Sequence, residues 1–348
     1  MLEQLIEKLE HTGRLDKAEY LTLIQHRKET RDELAARACK VRARYYGQQI
    51  FIRGLIEISS FCKNNCYYCG LRAGNVHAKR YRLSSEEIIS AADTGYALGF
   101  RTFVLQGGED PFYTDEILVG IVQTLKDRYP DCAVTLSLGE RGYESYRLLR
   151  QAGADRYLLR HETADPAHYG LLHPAEMSFE RRMQCLKDLR SLGYQVGAGF
   201  MVGSPHQTEE NLAQELVFLR DFRPEMVGIG PFLPHHDTPF AKELPGSVEM
   251  TCFLLSLIRL TLPDVLLPAT TALGTADPNG REKGIMAGAN VLMPNLSPAH
   301  VREKYLLYDG KICTGEEAAQ CIECLKNRIR KTGCEIVTAR GDCARTVR

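Results

Sequence analysis

The 348-residue sequence predicts an α/β fold: a (β/α)8 barrel of the TIM type, with an N-terminal helical extension and a C-terminal cysteine-containing tail. Two observations predict it. Eight apolar, strand-like runs recur along the chain, and segments with helical spacing separate them, which is the alternation that builds a parallel sheet. Eight is also the number of strands that closes such a barrel, and the length suits one barrel with additions at its ends. A doubly wound open sheet is the competing arrangement, because it uses the same alternation.

Taken in order, residues 1–46 carry helical patterning without a strand signal and read as a cap or packing arm. Residues 47–303 hold the barrel. Its strand runs are FIRGLIEISS (51–60), TFVLQGG (102–108), AVTLSL (133–138), RYLLRHE (156–162), VGAGFMVG (196–203), MVGIGPFLP (226–234), VLLPATT (265–271) and VLMPN (291–295). Among the helices, SSEEIISAADTGYALG offers Ser84 or Ser85 as a cap and an acidic pair that suits the N-terminal dipole. SFERRMQCLKDLRSLG closes on Gly193, a C-terminal stop signal, and EENLAQELVFLRDF follows it. Residues 304–348 form a polar, cysteine-containing tail. DRYPDC and LPHHDTP read as loops from their Pro and Asp content.

Composition narrows the setting. The chain opens MLEQLIEKLE, acidic where a secretory leader is basic, and no apolar run is long enough to span a bilayer, so a cytoplasmic location without membrane attachment is expected. Twelve cysteines in reducing surroundings point to metal or redox chemistry rather than disulfide staples. The formal net charge is +0 and the pI about 7.1, with no long basic block, which argues against nucleic acid as a partner.

The chemistry concentrates in FCKNNCYYCG, residues 61–70, after the first strand run. Cys62, Cys66 and Cys69 follow a C-x3-C-x2-C spacing with no fourth cysteine nearby. A structural zinc site takes four protein ligands, usually as two short pairs. Most cubane iron–sulfur clusters also take four thiolates, so three leave one iron with an open coordination position. The second strand run ends in QGGED, where Gly107 and Gly108 let the backbone approach a ligand and Glu109 and Asp110 offer carboxylates. In a barrel both stretches lie at the C-terminal ends of strands, where catalytic groups gather. Cys39, Cys132, Cys185 and Cys252 read as packing residues. His235 and His236 are metal ligands by type in a loop of ordinary composition.

C-x3-C-x2-C with Tyr68 before the last cysteine, followed by Gly-Gly-Glu after the second strand run, resembles the radical S-adenosylmethionine (SAM) superfamily. VLQGGEDP, VTLSLGE, GADRYLLRHETADP, GIGPF, PATTALGT and ANVLMPN together are similar to its [FeFe]-hydrogenase maturase branch, which shares a group with biotin synthase and methylornithine synthase. The likeness runs from about residue 50 to residue 325. It implies a [4Fe–4S] cluster on the three cysteines, with SAM chelating the open iron and yielding a 5′-deoxyadenosyl radical. It implies a cofactor site of Tyr68, Gln106, Gly107, Gly108, Glu109, Ser137, Glu162 and Arg182, with Glu109 at the methionyl end and Arg182 meeting a carboxylate as a bidentate fork.

At the substrate end the resemblance implies Thr135, Arg156, Arg160, Met226, Thr270, Thr271 and Met293, with Tyr305 and Tyr308 lining the same cavity. Two arginines and three threonines inside an apolar lumen are costly unless something anionic meets them, although the threonine pair is also placed to cap a helix. The implied substrate is a small low-valent iron complex carrying cysteine, carbon monoxide and cyanide, attacked at sulfur. The implied partners are other hydrogenase maturases and a ferredoxin or flavodoxin electron donor. In the tail, Cys313, Cys321 and Cys324 resemble an accessory [2Fe–2S] or [4Fe–4S] site, with Cys334 and Cys343 beyond. The competing enzyme reading is a carbon-skeleton or sulfur-inserting radical enzyme of the methylornithine synthase or biotin synthase type.

Overall fold

In the computed structural model, which describes residues 1–314 and 322–346, the first strand run divides at Arg53 into β1 (Gln49–Ile52) and β2 (Gly54–Ser59). β2 is buried at every position, as a parallel strand covered on both faces must be. It is followed by β3 (Thr102–Gly107), β4 (Ala133–Ser137), β5 (Arg156–Leu158), β6 (Gln195–Ala198) and β8 (Met226–Val227), joined side by side and all parallel. β7 (Met201–Val202) and β9 (Gly230–Pro231) pair above them. Between these segments Gly199 runs so close to Gly228 that a Cβ would lie 2.0 Å from its carbonyl oxygen.

The ladder then returns to its start. Met226 bridges to Leu266, Pro268 to Val291, β10 (Val291–Leu292) pairs with β1, and Leu55 bridges to Asn295. That circuit is a closed barrel, not an open sheet. The seventh run, 265–271, contributes only bridges because Pro268 has no N–H to give a ladder.

The helices are α1 (Leu2–Thr12), α2 (Lys17–Gln25), α3 (Arg27–Tyr46), α4 (Ser85–Ala97), α5 (Asp115–Arg128), α6 (Tyr143–Gln151), α7 (Pro166–Leu172), α8 (Phe179–Ser191), α9 (Glu209–Phe222), α10 (Val248–Thr261) and α11 (Thr271–Ala276), with further helices beyond. Ser84 caps α4 in a reciprocal box with Glu87, and Thr208 caps α9 the same way with Asn211. The N-terminal helices pack on the barrel's outer layer, α3 against α10 and α2 against α9, and the Tyr20 hydroxyl meets Thr261 Oγ1 at 2.8 Å.

The tail contributes β11 (Glu335–Val337), which pairs with β1, and then passes beneath the N-terminal ends of the strands. There Thr102 Oγ1 and Arg156 Nη2 donate to the Arg340 carbonyl at 2.7 and 3.0 Å, Arg340 pairs with Asp155 at 3.0 Å and Arg345 with Asp264 at 2.9 Å. The floor of the barrel is therefore plugged by its own C-terminal segment. Its opposite end, where the strands finish, carries the cysteine loop. Among the described residues no helix is long and apolar enough to cross a membrane.

Candidate active site

The segment 61–80 leaves β2 without regular structure, so its backbone polar groups need other partners. One guanidinium supplies four of them: Arg80 donates to the carbonyls of Ser60, Leu71, Arg72 and Asn75. Further ties are Lys63 N to Glu109 O (2.9 Å), Tyr67 N to Leu172 O (3.0 Å) and Gly70 N to Leu307 O (2.9 Å). A Cβ at Gly108 would sit 2.2 Å from the Phe61 carbonyl oxygen and 2.7 Å from Cys62 Cβ. Gly108 is thus small to admit the cysteine loop itself, rather than a ligand.

Burial pushes the thiols of Cys62, Cys66 and Cys69 up, that of Cys69 to about 12; at Cys66 the neighbouring Cys69 and Cys62 add to the effect. Three thiols that repel one another's ionisation suit a polynuclear cation that neutralises all three, and they leave it one open position. The donor set fits a [4Fe–4S] cluster.

A cavity of about 340 Å³ opens beside Cys66 and Cys69 and descends into the lumen. Register sets its first layer: Glu57, Gln106 and Ser137 stand opposite one another on β2, β3 and β4, and all three line it. Tyr68 and Gly107 join them at the cysteine end. The Tyr68 hydroxyl donates to His173 Nε2 at 3.1 Å, while His173 Nδ1 donates to the Tyr169 carbonyl at 2.9 Å. Burial holds that imidazole down at about 4, so it stays neutral and keeps Tyr68 oriented.

Arg160, Glu162 and Arg182 form the next part of the wall. Glu162 has φ +67°, a left-handed backbone rare outside glycine, and its N–H is held by the Gly199 carbonyl at 3.0 Å. Its Oε2 lies 3.0 Å from Arg160 Nη2 as an ion pair, yet the two are misaligned and neither atom completes a hydrogen bond. Arg182 donates to Glu140 Oε1 (2.6 Å) and the Arg160 carbonyl (2.7 Å), with Glu109 at 4.0 Å. Burial lowers its guanidinium, but Tyr169, Glu140, Tyr68 and Glu109 more than offset that and hold it above the ordinary value. Glu109 stands behind the wall, accepting from Glu140 N at 2.8 Å and 3.4 Å from Lys63 Nζ. Gly139 makes room for it: at φ +72°, a Cβ there would lie 2.0 Å from Glu109 Cγ.

Thr270, Thr271 and Met293 line the far side with Tyr305 and Tyr308. Thr270 occupies the cap position of α11, but its side chain caps nothing and Oγ1 is buried without a partner. The structure does not bring the remaining substrate candidates into this cavity. Arg156 sits four residues below Arg160 on the same strand run and pairs with Asp342 at 2.5 Å, so the tail supplies its anion. Met226 Sδ accepts from Arg53 Nη1 at 2.8 Å in a floor cluster with Tyr46, Phe51 and Leu266. Thr135, level with Arg156, is buried with Oγ1 unpartnered.

Two charged cavity residues escaped the sequence reading. Glu57 is buried, and Lys311 Nζ donates to its Oε1 at 2.5 Å and to the Tyr305 carbonyl at 2.9 Å. A lone glutamate inside GLIEIS was the available signal; nothing local marked Lys311. His236 Nδ1 lies 2.7 Å from Asp309, and His235 stacks on His236 over Gly70. In the tail Arg281 Nη2 donates to Cys313 Sγ at 3.2 Å, and Cys321 lies outside the described residues. Cys324, on the helix Ile322–Arg330, is disulfide-bonded, so against the expectation from the sequence its sulfur is not a free thiolate and has to be reduced before it can ligate a metal. Cys132 and Cys185 are buried in the main core.

The family model for the radical SAM superfamily matches residues 56–219. The chain is 48% identical over 296 residues to the [FeFe] hydrogenase maturase subunit HydE of Thermotoga maritima, covering 85% of this chain and 84% of that one. It is 29% identical over 300 residues to 3-methylornithine synthase of Methanosarcina acetivorans, covering 86% and 83%. The crystal structure of methylornithine synthase (PylB) superposes with a TM-score of 0.84 at 28% identity over 96% of this chain and 97% of that one. The maturase HydG has the same fold, with a TM-score of 0.83 at 19% identity over 100% and 78%. In this superfamily a [4Fe–4S] cluster and SAM together supply a 5′-deoxyadenosyl radical. Here Cys62, Cys66 and Cys69 would hold the cluster, beside the cavity that Cys66 and Cys69 line. With three cysteines in the family's spacing and nearly half its residues shared with the Thermotoga protein across most of both chains, this enzyme belongs to the radical SAM superfamily, in its HydE family.

Proposed function

We propose that the chain acts in assembly of the [FeFe]-hydrogenase di-iron subcluster, coupling reductive cleavage of SAM to the processing of an iron complex that carries cysteine, carbon monoxide and cyanide. One observation carries the substrate side. Arg160 Nε and Nη2 and Thr270 Oγ1 are buried without hydrogen bonds around a cavity continuous with Cys66 and Cys69. Unsatisfied donors of this kind are costly, and an anionic complex rich in acceptor groups repays them. The Thermotoga relative's name supports the same reading.

In this reading SAM lies along Tyr68, Gln106, Gly107, Ser137, Glu162 and Arg182, with Glu109 behind them fixing Glu140, the residue that holds Arg182. The substrate contacts Arg160, Thr270, Thr271 and Met293. Other maturases are the partners that supply or receive the complex. With the Cys324 disulfide reduced, Cys313, Cys321 and Cys324 hold an accessory cluster, and location is cytoplasmic. The likeness to 3-methylornithine synthase favours one second reading, a carbon-skeleton rearrangement.

The test is anaerobic turnover of the reconstituted enzyme with a reductant and SAM, with and without a synthetic iron–dicarbonyl–cyanide–cysteine complex. Consumption of the complex with a new low-valent iron resonance supports the maturase reading. Cleavage of SAM with the complex untouched rejects it. Transfer of deuterium from a carbon-bound position of a diamino-acid substrate into 5′-deoxyadenosine would establish the second reading.

A further inference from the structure

Helix α9 buries a carboxylate. Glu215 stands on the helix face that packs inward with Leu212, Ala213, Leu216 and Leu219, and it is fully buried. A carboxylate in such a place is costly unless donors meet both of its oxygens. Here one short segment meets both: Ala164 N donates to Oε1 at 2.5 Å, and His161 Nε2 donates to Oε2 at 2.7 Å. His161 is itself fully buried, its ring 4.5 Å from that of Phe218 on α9 and 6.2 Å from that of Phe200. Neither Glu215 nor His161 lines the cavity.

The imidazole passes the contact on to the cavity wall. Gly199 N–H can only donate, and it lies 3.2 Å from His161 Nδ1, so Nδ1 accepts and the ring proton sits on Nε2, facing Glu215. The Gly199 carbonyl in turn accepts from Glu162 N at 3.0 Å. Glu162 therefore stands between two residues, His161 and Ala164, that one carboxylate ties down. Its φ of +67° is a backbone region that persists at a side-chain-bearing residue only where the surroundings over-determine it. Held so, Glu162 lines the cavity while His161 and Thr163 do not.

We infer that Glu215, acting through His161, is a positioning residue for Glu162 in SAM binding: it fixes the segment 161–164 so that Glu162 already faces the cavity before the cofactor arrives. The inference rests on the proposed placement of SAM along Glu162 and adds what holds that residue there. The physical gain is preorganisation, since a segment already in its binding conformation has no ordering entropy to lose when SAM binds. Once SAM is bound, its own contacts hold Glu162, so the effect falls on affinity rather than on cleavage at saturation.

The test uses the full-length, cluster-loaded protein and three variants: Glu215→Gln, Leu219→Ala one turn along the same helix, and Glu162→Ala. Glutamine keeps the size of Glu215 but has one oxygen for two donors, so either Ala164 N–H loses its acceptor or the imidazole moves its proton to Nδ1, where it meets Gly199 N–H. SAM affinity is read by equilibrium dialysis, KM and kcat by 5′-deoxyadenosine formation, and the His161 tautomer and exchange of the Glu162 amide by NMR. The unmodified chain is expected to carry the His161 proton on Nε2. Glu215→Gln is expected to weaken SAM binding and raise KM by about tenfold with kcat nearly unchanged, and to speed exchange of the Glu162 amide. Leu219→Ala, which leaves a cavity in the core, is expected to lower the thermal midpoint and keep SAM affinity. A proton on Nδ1 in the unmodified chain, unchanged SAM affinity in Glu215→Gln, or an equal loss in Leu219→Ala each overturns the inference. If Glu215→Gln does not fold, His161→Asn, which keeps an acceptor for Gly199 N–H but not the contact to Glu215, takes its place in the same comparison. Unchanged SAM affinity in Glu162→Ala refutes the placement of the cofactor instead, while exchange of the Glu162 amide still decides whether Glu215 fixes the segment.

Discussion

The carboxylate of Glu57 and the ammonium of Lys311 meet 2.5 Å apart inside the barrel, although 254 positions separate them in the chain. Burial raises the Glu57 carboxyl, with Lys311 and Asn295 opposing that rise. The pair forms part of the cavity wall and ties the segment after Arg302 to the first barrel strand.

Replacing Lys311 by Met removes the cation and leaves a buried acid. Loss of one partner of a buried pair costs about 3–5 kcal/mol, limited here because Glu57 takes up a proton. The double change Glu57→Gln/Lys311→Met is expected to be less destabilising than Lys311→Met alone. Denaturant unfolding of the three chains checks the order.

The floor pair responds to acid. Burial raises the Asp342 carboxyl, but Arg156, Arg340 and Gln195 more than offset it and hold it well below the usual carboxylate range. A carboxyl depressed in the folded chain contributes stability above its unfolded value of about 3.9, and that contribution fades as pH falls toward the folded value. Asp342→Asn is expected to cost about 3–5 kcal/mol near neutrality. The gap between variant and unmodified chain should narrow below about pH 4, as read by thermal unfolding across pH.

Gly139→Ala puts a Cβ where Glu109 now lies, at a backbone angle that disfavours side chains. Displacing Glu109 loosens Arg182, and an ångström of misplacement lowers kcat/KM for SAM on the order of a hundredfold. A variant that binds SAM as the unmodified chain does would contradict the role given to Glu109.

The two cysteine groups should separate cleanly. Cys66→Ala is expected to abolish reductive SAM cleavage, because two thiolates leave the cluster under-ligated. Cys321→Ala is expected to keep it, and to lower the iron content only by the accessory cluster. Iron analysis with 5′-deoxyadenosine assay distinguishes them, and loss of cleavage in Cys321→Ala would make the tail site part of the chemistry.

The sequence by itself determined the alternation of eight strand runs, a serine cap at Ser84 or Ser85, which the structure resolves to Ser84, and the three-cysteine loop, since each depends on residues within a few positions of one another. Strand periodicity also indicates that Thr135, Ser137, Arg156 and Arg160 share the lumen side, but a period of two specifies a face and not a depth. Only the closed barrel decided that Arg160 meets the cavity while Arg156 lies on the floor, 186 positions from the Asp342 that neutralises it. A buried charge is stable only with a partner, and here the partners Lys311 and Asp342 come from the far end of the chain, so their identity was settled by tertiary packing.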